Sequence, residues 1–264
     1  MSRSVRTALR PLPDEKPASR AVSARAGRSA RWTGLLALCR VSNLPTVWMN
    51  VTTAVVLSGA AEPMSGAVLL LVSLSAFYTS GMAFNDVFDA AVDEETQPYR
   101  PIPSGQVTLG QAMTIAVGLL VVALASLLAT PFPSSVGFGV ALGVAIVVYD
   151  RYHKSFSWAV LVMASCRLLL FLVCAWAMVG SLPLLVVLAG TVQFAYTLLL
   201  TVVARRENQR SQPYPWPLVP WLITGMCLVD GVFLAFADSA LWLLPAIALA
   251  ALTRLAQRWL VRGD

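Results

Sequence analysis

Eight times along this chain a run of apolar residues extends far enough to cross a bilayer, which takes roughly 17–25 residues per helix. The runs lie near 34–59, 65–92, 108–130, 134–150, 157–179, 182–203, 216–237 and 240–260. Spans of this kind can satisfy their backbone polar groups only internally. The fold class expected is therefore all-α: a polytopic membrane bundle of about eight transmembrane helices. A composition that is 58% hydrophobic and 12% charged, with a mean hydropathy of +0.72, agrees with that reading.

The basic residues follow the same partition. Of 19 Lys and Arg, nine lie between Arg3 and Arg40, at or before the start of the first span. With eight spans and both termini cytoplasmic, every one of the 19 except Arg167 faces the cytoplasm. The predicted outer loops, near 60–64, 131–133, 180–181 and 238–239, hold no Lys or Arg. This is the asymmetry of the positive-inside rule, and a seven- or nine-span arrangement breaks it. The net charge of +6 thus describes topology and makes no case for nucleic-acid binding. The expected location is a multi-pass position in the cytoplasmic membrane of a bacterium, with the lipid bilayer as a partner.

Residues 1–31 are rich in Arg, Ser, Ala and Pro and cannot bury a core, so they are expected to form a disordered basic cytosolic tail. An organelle transit peptide shares that composition, but Asp14, Glu15 and three prolines weaken the parallel. Residues 32–264 form the expected transmembrane domain.

The most informative polar stretch is residues 85–105, which follow the apolar segment Gly66 to Phe84. If the second helix continues through it, Asn85, Asp89 and Asp93 are spaced i, i+4, i+8 and share one face. Stacked carboxylates repel unless a cation sits among them. Hard oxygen ligands suit Mg²⁺, which keeps several waters and binds through one or two carboxylates plus substrate phosphates. Acidic groups at a membrane edge are a functional-site hypothesis by default; the competing reading is an ordinary solvated acidic loop.

Other chemistries find less support. Cys39, Cys166, Cys174 and Cys227 all fall in predicted spans, and none forms a Cys-x-x-Cys pair. They read as small buried apolar residues. The single histidine, His153, makes a histidine-based metal site or triad untenable, and no glycine-rich phosphate loop is present.

Asn85-Asp86-x-x-Asp89-x-x-x-Asp93, followed by Arg100-Pro-Ile-Pro-Ser-Gly, resembles the UbiA superfamily of intramembrane prenyltransferases. Arg40-Val-Ser-Asn43 resembles the stretch that opens the family's first helix. Tyr149-Asp150-Arg151-Tyr152-His153-Lys154 lies where members carry a Tyr-Pro-x-x-Lys-like segment after the fourth helix. The resemblance implies a helix bundle around a central cavity whose cytoplasmic mouth binds a prenyl diphosphate through Mg²⁺. It implies that Asn85, Asp89 and Asp93, supported by Asp86, hold the metal. Arg100 and Lys154 would clamp the phosphates, and Tyr149, with Asp150 beside it, would orient them. Arg40 and Asn43 would contact the acceptor or the diphosphate. Phe84, Tyr78 and Trp48 are candidates to face an allylic cation, although aromatic residues in spans more often serve packing.

One departure from the family pattern stands out. Where a second aspartate-rich motif ends the sixth helix, this chain has Arg205-Arg206-Glu207-Asn208. Either Glu207 completes a metal site with Arg205 or Arg206 neutralising phosphate, or this end is a basic helix stop. Together with eight spans rather than the usual nine, this is similar to a shorter, divergent branch, the EboC-like proteins. Two charges also fall deep in spans, Arg167 and Asp230. Either they form a mutual pair or a polar helix contact, or one or both line the acceptor cavity; they are expected to pair with each other or with cavity water, and neither to face lipid.

The function expected is Mg-dependent transfer of a prenyl group from an isoprenoid diphosphate to a hydrophobic or aromatic acceptor, a transferase of alkyl or aryl groups other than methyl. The alternatives are a catalytically weakened relative that binds isoprenoid diphosphate or lipid within a pathway assembly, and a membrane transporter.

Overall fold

The computed structural model describes residues 32–61, 63–208 and 216–259. The basic tail predicted at 1–31 lies outside them. Among the described residues there are eight long helices and no strand: α1 Leu44–Ser58, α2 Pro63–Thr96, α3 Leu109–Leu128, α4 Val136–Tyr152, α5 Ala159–Val179, α6 Leu184–Asn208, α7 Leu218–Ala237 and α8 Leu243–Trp259. Short 3₁₀ turns precede α1, α4 and α8. Helices consecutive in sequence pack on one another, and α1 stands inside the ring, touching α2, α5, α6, α7 and α8.

Seven segments are long and apolar enough to cross a membrane, covering α2 to α8. The predicted first span behaves differently. Residues 32–38 are helical, but the chain breaks at Arg40 and passes through a 3₁₀ turn at Val41–Asn43 before α1 begins. Pro45 explains the break, because its ring cannot follow a helical carbonyl four residues earlier and is tolerated only in the first turn. Arg40 takes up the change of direction at φ 42, ψ 47, a left-handed conformation that costs a residue with a Cβ about 1–3 kcal/mol. Cys39 therefore lies in this turn, not in a span.

The lipid-facing surface can be read from exposure. Val121, Val122, Val144, Leu188 and Phe236 are apolar and exposed, which suits hydrocarbon and would not suit water. Inside, Val47, Leu74, Phe77, Leu127 and Phe171 form the principal core. At one end, Tyr152, Phe156 and Trp158 cluster after α4, and Arg254 covers the face of Trp221 at 5.1 Å, as aromatic side chains do at a membrane–water boundary.

α2 contains 34 residues, about 51 Å at 1.5 Å per residue, against a hydrocarbon thickness of about 30 Å. Its last three or four turns project beyond the apolar slab, and the acidic run occupies them. The run is helical to Thr96. Asn85, Asp86, Asp89 and Asp93 are all buried, whereas Glu94 and Glu95 are exposed. The spacing expected from sequence is therefore realised, and the solvated-loop reading is excluded.

Candidate active site at the mouth of the bundle

Three segments bring charged groups to the buried face of α2. The loop after α2 folds back on itself: Ser104 donates its backbone N–H to Arg100 O, and Val107 to Pro101 O, both at 3.0 Å. Gly105, at φ 74, makes the reversal that a side chain would strain. Val107 and Ile102 anchor the loop against Leu38, Ala83 and Phe84. This geometry returns Arg100 to the helix it came from. Its Nη1 lies 2.7 Å from Asp93 Oδ2 and 3.4 Å from Asp86 Oδ1, and its Nε donates to Gln97 Oε1 at 3.0 Å. Arg40 approaches from the break before α1, placing Nη2 3.4 Å from both Asp86 Oδ1 and Asn85 Oδ1.

The end of α4 supplies the other wall. Lys154 Nζ meets Asp89 Oδ1 at 2.8 Å, and His153 Nε2 lies 3.5 Å from Asp89 Oδ2. The second ring nitrogen of His153 is 3.1 Å from Asp150 O, and its ring stacks on Tyr149 at 5.2 Å. Asn85 Nδ2 donates to Asp150 Oδ1 at 3.4 Å, joining α2 to α4. This approach depends on Gly81: a Cβ there would lie 3.0 Å from Ile146 Cγ2.

Beneath the mouth an apolar cavity descends between α1, α2, α4 and α5. Tyr149 and Asp150 form its rim, with Phe77, Tyr78 and Ile146 along its walls and Arg167 at depth. Of the three aromatic candidates, only Tyr78 reaches this cavity. Phe84 packs in the cluster under the Arg100 loop and stacks on Phe88, while Trp48 donates to Ser75 Oγ at 3.0 Å in a groove on another side.

The two deep charges do not touch each other. Arg167 Nη1 donates to Asn50 Oδ1 at 2.7 Å, and Asn50 Nδ2 donates to Asp230 Oδ2 at 2.6 Å. Gln193 Nε2 donates to Asp230 Oδ1 at 2.7 Å. Four helices thus meet in one polar chain, and Arg167 also opens onto the cavity. Neither charge faces lipid; the expected direct pair is not formed, and the polar helix contact takes its place through Asn50, with Arg167 alone of the two lining the cavity.

Three sequence expectations are revised. Arg205 does not point at the acidic mouth; its guanidinium donates to the backbone carbonyls of His153, Phe156 and Ser157, holding the α4–α5 loop. Carbonyls left open at the end of a helix attract a guanidinium from a neighbouring element. Asn43 is buried, and its Oδ1 accepts from Gln257 Nε2 of α8 at 2.9 Å, so it ties the break before α1 to the last helix. Glu207 forms no ion pair among the described residues, and Arg206 makes neither a hydrogen bond nor an ion pair among them. His153, passed over in the sequence as a solitary histidine, bridges Asp89 and α4; the only local sign of it was its place beside Lys154.

The donor chemistry suits a hard divalent cation. No three Asp, Glu, His or Cys side chains among the described residues already form a cage. Yet Asp93 Oδ1 and Asp150 Oδ2 are buried without a hydrogen-bond partner, a costly state that a cation or a water would relieve.

Comparison with known proteins agrees with this architecture. The model of the UbiA prenyltransferase family matches residues 42–264. The digeranylgeranylglyceryl phosphate synthase of Ignicoccus hospitalis is 34% identical over 127 residues, 48% of this chain and 40% of that protein. The enzyme of the same name from Saccharolobus solfataricus is 27% identical over 109 residues, 41% of this chain and 39% of that protein. The matched stretch therefore spans about two fifths of the length of these curated relatives. Among solved structures, a UbiA homologue from Archaeoglobus fulgidus bound to GPP and Mg²⁺ superposes with a TM-score of 0.56 at 16% identity, covering 85% of this chain and 86% of that one. A structure from work on digeranylgeranylglyceryl phosphate synthase in membranes also gives a TM-score of 0.56, at 17% identity, covering 87% and 88%. At these identities the structures establish the shared fold.

Proposed function

The chain belongs to the UbiA prenyltransferase family and is a multi-pass integral membrane protein, and from that premise we propose that it transfers a prenyl group from an isoprenoid diphosphate to an acceptor held in the apolar cavity. The observation that carries this reading is the mouth itself. Asp86, Asp89 and Asp93 alternate with Arg40, Arg100 and Lys154 directly above a cavity lined by Phe77, Tyr78 and Ile146. An anionic head and a hydrocarbon tail would each find their solvent there.

Asn85, Asp86, Asp89 and Asp93 would hold Mg²⁺, which when bound neutralises the diphosphate and favours its departure. The family's solved homologue with GPP and Mg²⁺ supports that assignment by analogy. Arg100, Lys154 and Arg40 carry fixed positive charge to where negative charge grows as the allylic carbon–oxygen bond breaks; such preorganised donors act most strongly away from water. The bond's electron pair leaves with pyrophosphate. The acceptor's nucleophilic atom then bonds to the allylic carbon and loses its proton. Tyr149 steadies His153 by stacking, and the apolar wall excludes competing water. Tyr78, which lines the cavity together with Phe77 and Tyr149, would offer an aromatic face to the developing cation.

The acceptor is proposed as a hydrophobic molecule, aromatic or of the glyceryl phosphate type suggested by the relatives' names. With the short α1 counted as an eighth span, the positive-inside rule supports a mouth and termini on the cytoplasmic side, and the membrane is proposed as the inner membrane of a bacterium. A weaker role, binding without transfer, draws support from Glu207 standing outside the mouth's ion pairs.

The test is release of pyrophosphate by the purified protein in nanodiscs. Prenyl diphosphates of several lengths, phenolic, quinonoid, alcohol and glyceryl phosphate acceptors, and Mg²⁺ or EDTA are supplied. Mg²⁺-dependent release that vanishes in Asp89→Ala is expected. Binding without release under every acceptor would favour the weaker role, and failure to bind any prenyl diphosphate would overturn the proposal.

A further inference from the structure

Asp150 is the anomalous carboxylate of the mouth. Asp86 has Arg40 and Arg100 within 3.4 Å, Asp93 has Arg100 at 2.7 Å, and Asp89 has Lys154 at 2.8 Å and His153 at 3.5 Å. The carboxylate oxygens of Asp150 lie within 4.0 Å of no Lys, Arg or His side-chain nitrogen among the described residues, His153 meeting only its backbone carbonyl. It is only 4% exposed, its Oδ1 receives one long bond from Asn85, and its Oδ2 has no partner. A buried carboxylate without a counter-charge costs several kcal/mol. It persists where something outside the folded chain completes it. Asp150 also lies on the cavity rim, one helix away from the acidic face of α2 and joined to that face through Asn85. Four carboxyl groups therefore share three permanently basic side chains, and the one with no basic neighbour is Asp150.

We infer that Asp150 is a direct ligand of the divalent cation that enters with the diphosphate, contributed by α4 opposite the carboxylates of α2. This inference rests on reading the mouth as a diphosphate site. A cation held between two helices makes the α2–α4 gap, and hence the cavity rim, depend on ligand occupancy. It also gives this chain a carboxylate from α4 at a site where α6 brings none of its own into the mouth's ion pairs.

The probe is Mn²⁺ with inorganic pyrophosphate, using full-length protein in nanodiscs and counting bound Mn²⁺ by its electron paramagnetic resonance. Asp150→Asn is expected to weaken Mn²⁺ binding about tenfold or more, since cation affinity follows ligand charge count. In the absence of metal, the same variant should melt no lower than the parent, because it removes a buried carboxyl group that has no basic partner. Asp150→Cys serves as the second variant: a thiolate in direct ligation shifts preference from Mn²⁺ toward Cd²⁺, and a rise in the Cd²⁺-to-Mn²⁺ affinity ratio is expected. Unchanged Mn²⁺ affinity in folded Asp150→Asn, or an unchanged ratio in Asp150→Cys, overturns the inference and leaves the proposed function standing. If the parent protein itself binds no Mn²⁺ with pyrophosphate, the reading of the mouth fails along with the inference.

Discussion

Arg167 and Asp230 carry opposite charges deep in the bundle, yet no bond joins them; the amide of Asn50 lies between, accepting from one at 2.7 Å and donating to the other at 2.6 Å. An amide suits this place because it offers a donor and an acceptor at once. Removing it strands both charges. Asn50→Ala is expected to cost on the order of 3 kcal/mol or more, read as an early melting transition in detergent. Simultaneous replacement, Arg167→Met with Asp230→Leu, should cost far less than the sum of the single variants. Strict additivity would show that the chain of bonds is not energetically coupled.

Asp89 and Lys154 bring α2 to the α4–α5 loop at 2.8 Å. If both act on the diphosphate, Asp89→Asn and Lys154→Ala should each lower pyrophosphate release by roughly 10²–10³-fold, the range for removing one preorganised charge from a reacting site. Melting should change little, since Lys154 is partly exposed and its pair is worth little as a structural contact. A variant that keeps full turnover would remove that residue from the chemistry.

Arg100 uses its planar head at several points, reaching Asp93 and Asp86 while Gln97 fixes its Nε. Lysine keeps the charge and loses the fork. Arg100→Lys is therefore expected to retain folding and lose at least about tenfold in kcat/KM. Equal kinetics in the two forms would mean that charge alone matters there.

Two neighbouring arginines should behave oppositely. Arg205 holds the carbonyls of His153, Phe156 and Ser157, whereas Arg206 makes no such bond. Arg205→Ala should lower the melting temperature and weaken activity by loosening Lys154, with added salt restoring neither. Arg206→Ala should leave both near the parent values. The reverse pattern would contradict the assignment of Arg205 to the loop.

EDTA should abolish pyrophosphate release, and Mg²⁺ should restore it, if the oxygen donors of the mouth serve as proposed. Release that persists after exhaustive chelation would separate this chain's chemistry from divalent cations.

What the sequence determined by itself was set by local rules. Hydropathy marked eight spans, seven of which are helices long and apolar enough to cross a membrane among the described residues, because a helix in hydrocarbon must be apolar along its length. The i, i+4, i+8 spacing of Asn85, Asp89 and Asp93 gave their shared face before any tertiary contact was known, because 3.6 residues per turn fixes it. The first span, read from sequence as continuous over 34–59, breaks at Arg40 ahead of Pro45, and the return of Arg100 turns at Gly105; both became visible only in the folded chain. Tertiary structure alone decided the rest. Which carboxylate lacks a partner, which arginine turns toward a loop, and which amide separates Arg167 from Asp230 depend on the depth and rotation at which one helix meets another. Those quantities are set by side-chain interdigitation across residues far apart in the chain, as where Gly81 admits Ile146 and lets Asp150 reach Asn85. No periodicity within a single helix contains that information.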